Sequence, residues 1–359
     1  MIFNENDREI LKRIYDCNQF TIATQKKYES VLKSYSGFVG LNLGELIKEA
    51  KKEQISYINS KNQIIEVDIE ETKLAHYLRS YIFEEKNRKI ASSTLINKQS
   101  TIRAFYNHCG LKQLPKPIKI INIQKELNIL DYEDIKIAIN SGDIKQKAIF
   151  SFMASTGIRS VDVRNFRIKD ILNAFKIEDI DEIYDIGDYI GYWEFNPIKT
   201  KRNNTMCKVC SSNESSEYLI KYLIKRLENE KINDDNYLFS NNNGNQISQQ
   251  GFIYIFSKMN KIIYKNRLDD LEYKLNKNYL SKNKFKMFKE KIPKFHPHGL
   301  RKFFITTINS YCNNIKIINL MSGHKHSNKI DTNYINFDEK IIRENYYKFL
   351  DKISFNTIK

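Results

Sequence analysis

His296-Pro297-His298-Gly299-Leu300-Arg301-Lys302-Phe303-Phe304, followed by Met321-Ser322-Gly323-His324 and Asp331-Thr332-Asn333-Tyr334, is the part of the chain that decides how the rest is read. A helix starting near Pro297 puts His298 and Arg301 on one face, a turn apart, so that an imidazole and a guanidinium share one target. The planar fork of Arg matches two oxygens of a phosphate, and a His beside it can donate, accept or move a proton near neutral pH. Ser322-Gly323 is a helix stop, because Gly tolerates the left-handed backbone found at helix ends, and it presents His324 from the turn. Tyr334 follows ten residues later.

This arrangement resembles the C-terminal half of the tyrosine recombinase, or phage integrase, family. Its signature of His-x-x-Arg, Gly-His and a later nucleophilic Tyr is spelled here by His298 to Arg301, Gly323-His324 and Tyr334. A second match lies upstream in Thr156-Gly157-Ile158-Arg159-Ser160-Val161-Asp162, where the family usually has Thr-Gly-x-Arg-x-x-Glu. Asp162 would hold Arg159 and aim it at a phosphate. Tyr189 to Asn196 and Thr205 to Val209 read as short strands around Pro197 to Asn204, the hairpin on which the family keeps a catalytic lysine. Lys199 fits best, since Lys-Thr directly after the strand is the common form, and Lys201 stands one alternation away on the same face. The spelling of Arg301 to Phe304 and of Asn345 to Lys348 looks closer to integrases of archaeal viruses and plasmids than to bacterial Xer proteins.

Composition agrees with a nucleic-acid partner. The 359 residues carry a net charge of +16 with a pI near 9.3, which calls for a polyanion, duplex DNA before an anionic membrane surface. A hydrophobic fraction of 41% with 22 Tyr and 21 Phe supplies core material for two domains, which excludes disorder as the main state. No uncharged run reaches the length of a spanning helix and Met1 to Arg13 is not signal-like, so the expected location is cytoplasmic. Five cysteines are too few for a disulfide framework, and Cys207-Lys208-Val209-Cys210 is a single CxxC with no second pair, read as chance spacing on a strand.

The fold expected is mainly α with a small β-hairpin: a helical domain over 1–120 and a mixed α+β catalytic domain over 121–359. Apolar periodicity predicts N-terminal helices at Asn4–Tyr15, Thr21–Phe38, Thr72–Lys86 and Ser93–Asn107, the last capped by Ser92 or Ser93. Lys98, Gln99, Ser100 and Arg103 then form a polar basic face, which the resemblance lays along DNA, with Lys201 and Arg202 as further DNA contacts. Pro115 and Pro117 within Gly110 to Ile120 mark the linker, with the boundary near 112–125. The lysine-rich stretch Tyr264 to Lys294 is either a helical insert against DNA or a solvated excursion. Ile341, Ile342, Tyr346, Phe349, Leu350 and Ile353 line a final helix, about 338–354, which the resemblance allows to dock on a neighbouring protomer.

From the family the chemistry follows as an expectation: Tyr334 attacks the scissile phosphate to give a 3′-phosphotyrosine, Arg159 and Arg301 meet the developing charge, and His324 donates. His298 takes the tyrosine proton or contacts the phosphate, and Lys199 protonates the leaving 5′ oxygen. No metal or other cofactor is expected, and the partners are duplex DNA with a specific site and three further copies in a tetramer exchanging strands through a Holliday junction. Integration, excision and dimer resolution stay open. Two rivals stand beside this reading. One is a metal site of His296, His298, His324 and His326, disfavoured by two arginines sharing the pocket; the other is a DNA-binding protein of the same fold without catalysis.

Overall fold

A computed structural model describes residues 3–54, 57–58, 64–65, 67–121, 129–186, 190–203, 205–324 and 337–356. The chain divides into two compact units, Met1–Glu126 and Leu127–Lys359.

The first unit is built from α1 (Glu5–Asn18), α2 (Ile22–Val39), α3 (Leu43–Glu53), a two-residue ribbon of β1 (Tyr57–Ile58) and β2 (Ile64–Ile65), α4 (Lys73–Asn87) and α5 (Ser92–His108). The four expected helices appear within a few residues of their limits, and α3 was not foreseen. Its signal was local: Asn42 and Glu45 form a capping box, and Leu43, Leu46 and Ala50 are its buried stripe. Tyr35, Tyr81 and Tyr106 meet at the centre, with Tyr35 and Tyr106 hydroxyls 3.2 Å apart. Burial, first among the causes, holds the Tyr106 hydroxyl well above its ordinary value.

Contacts within this unit bear on three of the expectations. Neither Ser92 nor Ser93 caps α5, which starts after Ala91 without a side-chain cap. The basic face of α5 is largely spent inside the unit. Lys98 is paired with the buried Glu85, Gln99 is 9% exposed and bonded to both the N–H and C=O of Ile118, and Arg103 donates to the Pro115 carbonyl. The proline-containing stretch is no free linker, because Leu111 is buried and Leu114, Ile118 and Ile120 pack on this core. Proline kept it extended, and its apolar side chains docked it.

The second unit surrounds α7 (Ile144–Thr156), whose residues from Ala148 to Thr156 are all buried. A helix apolar on every side must be covered on every side. It is covered by α6 (Tyr132–Ser141), α10 (Asn213–Leu227) and α13 (Pro297–Tyr311), with α8 (Ser160–Val163), α9 (Ile168–Phe175), α11 (Gln249–Asn276), α12 (Lys282–Glu290), α14 (Ile315–Ser322), α15 (Glu339–Tyr347) and α16 (Leu350–Ile353) completing the shell. The expected hairpin is β3 (Tyr192–Phe195) paired antiparallel with β4 (Cys207–Cys210), Tyr192 opposite Cys210 and Phe195 opposite Cys207. Trp193 is 2% exposed between Phe152 and Phe166 and donates to Ser211 Oγ at 3.1 Å. Both β4 cysteines are buried, and burial pushes their thiols up to about 12, which keeps them protonated.

The C-terminal stripe lies on this unit's own core. Ile342, Tyr346, Phe349, Ile353 and Phe355 are fully buried, Tyr132 donates to the Ser354 carbonyl at 2.8 Å, and Phe355 N–H donates to Glu214 at 2.5 Å. The apolar face of 338–354, expected from the resemblance to dock on a neighbouring protomer, packs here within its own chain. Its rings have partners within the chain, so moving it would uncover them.

Candidate active site

The site is assembled where three chain segments stop. Helix α7 ends at Gly157, in the left-handed region at φ +62°, where a Cβ would stand 2.2 Å from Phe304 Cδ1, so only glycine fits the turn. The turn frees the Gly157 carbonyl and sends Arg159 to the start of α8. Helix α13 begins at His296, whose Nδ1 accepts from Gly299 N–H at 3.1 Å, with Pro297 in the first turn, where its missing donor costs nothing. Leu300, Phe303, Phe304 and Ile308 bury its inner face, and that packing sets Arg301 inward. Helix α14 ends at Gly323, φ +58°, where a Cβ would be 3.2 Å from the Arg159 guanidinium.

Arg301, 5% exposed, holds these ends together. It donates to the Gly157 carbonyl at 2.6 Å, to the Ser322 carbonyl at 2.5 Å, and to His324 Nε2 at 3.1 Å. Burial first, and Arg159 second, pull its pKa down to about 10, so it remains charged at neutral pH. Of the five N–H donors of a guanidinium, three are spent internally. Arg159 is half-buried and, among the described residues, spends one, on the Gly323 carbonyl at 3.0 Å, which leaves four unspent there.

Because a guanidinium only donates, the contact with Arg301 requires His324 Nε2 to be the acceptor, and the proton then sits on Nδ1. Nδ1 is 3.1 Å from Ser322 Oγ, which lies 3.3 Å from the Asn319 carbonyl, so a donor chain runs from His324 through Ser322 into the end of α14. Burial, then Arg301 and Arg159, lower the His324 pKa, in keeping with a neutral ring. His298 stands exposed one turn before Arg301, and burial, then Lys302, Arg301, Lys199 and Arg159, lower it as well.

Asp162 does not hold Arg159 as expected. One oxygen accepts from Ile198 N–H at 2.8 Å, and the other is buried without a hydrogen-bond partner among the described residues. Its work is to fix the start of the 3₁₀ turn Ile198–Asn203, which carries Lys199 on an exposed face. Burial raises the Asp162 pKa, while Ile198, Arg159, Arg301 and Lys199 oppose the shift in that order. Lys201 is exposed on the same turn; the side chain of Arg202, and all of His326 and Tyr334, lie outside the described residues.

Five of the six sequence-predicted catalytic residues are thus gathered: Arg159, Arg301, His324, His298 and Lys199. Ser322 and Gly157 were missed as parts of the site. Their signal was position, each beside a motif residue at a helix end. His296 is accounted for as the cap of α13, and among the described residues no group of three or more His, Cys, Asp or Glu could hold a metal. Tyr346, a rival to Tyr334 by sequence, is fully buried and donates to the Ser155 carbonyl at 2.9 Å. Two guanidiniums with only a part-satisfied, buried carboxyl beside them leave net positive charge at this junction, which is the electrostatics of an anion site.

Comparison with known proteins agrees. No curated protein matches in sequence. Among solved structures, the Tn1549 transposon integrase in complex with a circular intermediate DNA aligns over 94% of this chain and 97% of its own, at 14% identity and a TM-score of 0.53. XerH site-specific recombinase bound to a palindromic difH substrate aligns over 94% and 83%, at 15% identity and a TM-score of 0.52. At such identities these establish the fold. The profile of the phage integrase family matches residues 123–340, more than half of the chain and every motif around the two arginines, and the chain belongs to that family.

Proposed function

We propose that this site-specific DNA recombinase breaks DNA with Tyr334 and holds the scissile phosphate between Arg159 and Arg301. The observation that carries the reading is the clamp itself: a buried Arg301 locked at three helix ends beside an Arg159 that spends one of its five donors among the described residues. The tyrosine oxygen attacks phosphorus, the bond to the 5′ oxygen breaks, and charge gathered on the non-bridging oxygens falls to the two guanidiniums. The tyrosine proton passes to His298, whose lowered pKa keeps it a free base near pH 7. The leaving oxygen takes its proton from Lys199, with Lys201 on the same turn as the alternative. His324, neutral and held by Ser322, orients Arg301. Religation reverses these steps.

The partner is duplex DNA, as for the DNA-bound relatives above. The first unit adds further DNA contacts, and four copies on two sites exchange strands through a Holliday junction. With arginines as the phosphate clamp, no metal is needed. Incubation with a nicked suicide duplex selected from random sequence by covalent capture should give a protein–DNA adduct undiminished in excess EDTA. Loss of the adduct in EDTA would revive a histidine–metal site.

A further inference from the structure

Among the described residues, the outer part of the α11–α12 arm is little used by its own fold. Helix α11 last contributes to the core at Ile263, and α12 buries no residue at all. Beyond Ile263, Leu268, Leu271, Leu275 and Phe285 are only half-buried, and Tyr273, Tyr279 and Phe288 are 58%, 76% and 40% exposed.

The base of the arm, by contrast, is fastened. Arg267 donates to Asp134 at 2.7 and 2.8 Å and to Asp131, and Asn260 exchanges hydrogen bonds with Phe295 at 3.2 and 2.7 Å. Phe295 lies one residue before the cap of the helix that carries His298 and Arg301. The arm is therefore held at a fixed place beside the site, yet its outer part gains little from folding, and a nine-residue helix such as α12 is marginal by itself.

Its charge indicates the missing partner. Residues 277–294 contain seven lysines against one acid, Glu290. Lys277, Lys282, Lys284 and Lys286 are exposed and have no acidic partner among the described residues. From this juxtaposition of a clamped base, unburied helices and unpaired lysines we infer that the α11–α12 arm grips the phosphate backbone of duplex DNA flanking the cleaved site. This rests on the proposed DNA recombinase activity. The thirteen residues from Tyr264 to Asn276 extend about 20 Å, so the tip reaches phosphates up to roughly six base pairs from the base of the arm. Lysines rather than arginines suit a grip that adds affinity without sequence choice.

The test uses the full chain with Lys277→Gln, Lys282→Gln, Lys284→Gln and Lys286→Gln combined. For a 40-base-pair duplex of arbitrary sequence, the slope of log affinity against log salt should become shallower by about 3 to 4, near 0.9 for each phosphate that the arm no longer neutralises. The wild type should thus lose roughly 100-fold more affinity than the variant between 50 and 200 mM salt. At saturating protein and low salt the variant should still form the covalent adduct with the captured suicide duplex. An unchanged salt slope overturns the inference, as does a variant whose only change is in self-association, which would make the arm an interface between copies. Absence of adduct in the wild type instead would defeat the recombinase mechanism and leave the slope comparison standing.

Discussion

Arg301→Ala and Arg159→Ala look equivalent in sequence, and the structure separates them. Arg301 makes three hydrogen bonds from a buried guanidinium, each worth about 1.5–3 kcal/mol for a charged donor. Against this stands the cost of keeping the charge buried: a pKa lowered from 12.5 to about 10 corresponds to about 3 kcal/mol. The difference leaves a net loss on truncation of about 1.5–6 kcal/mol. For a unit of this size that lowers Tm by roughly 3 to 24 °C. Arg159, half exposed and making one bond, should cost about 1 kcal/mol or less. Trp193 is the sole tryptophan and is buried in the catalytic unit, so its fluorescence on heating reports that unit alone. Both variants should lose adduct formation, by roughly 2.7–4 kcal/mol in the barrier if each acts like a missing oxyanion donor. An Arg301→Ala Tm within about 2 °C of wild type, or an equal loss in Arg159→Ala, would refute the locking role given to Arg301.

Gly157→Ala forces a side chain into left-handed backbone and against Phe304, and should lower the Trp193 transition by several degrees; an unchanged Tm would mean the turn is looser than described. Ser322→Ala removes the acceptor of His324 Nδ1–H and should slow adduct formation about 3- to 10-fold with little change in Tm, whereas an unchanged rate would show that the ring is oriented otherwise. His296, His298 and His324 all have pKa values below 6.5 in the folded chain, so the unfolded chain takes up protons first and stability should fall as pH drops from about 7 through 6 toward the folded values. Asp162, raised by burial, works in the opposite direction on acidification, one carboxyl against three imidazoles. Denaturant midpoints read by Trp193 that rise as pH falls from about 7.5 to 5.5 would contradict this.

Much of the architecture was legible because it rests on local rules. The apolar run of α7 and its Gly157 stop, the hairpin around Pro197 and the Gly323 stop of α14 all follow from period and turn chemistry. What misled was the assumption that polar residues on a helix face water. Lys98, Gln99 and Arg103 have the composition of a DNA-facing stripe, but a buried Glu85 and an extended segment folded back over α5 claim them, and neither is visible at helical spacing. Asp162 was misassigned similarly: three residues from Arg159 in sequence, its oxygen is taken by a backbone N–H from a segment 36 residues away. In the same way the C-terminal stripe gave no sign of which surface it covers.

The proposed chemistry depends on Tyr334, alone among 22 tyrosines, becoming joined to DNA. Tyr334→Phe removes one hydroxyl and keeps the ring, so the variant should fold and bind duplex as the wild type does. Incubated with the captured suicide duplex and run on a denaturing gel, wild type should give a shifted protein–DNA band whose proteolytic map places the nucleotide on Tyr334, and the variant should give none. A band that persists in Tyr334→Phe, with the nucleotide mapped to the exposed Tyr347 or to any other tyrosine, would contradict the mechanism.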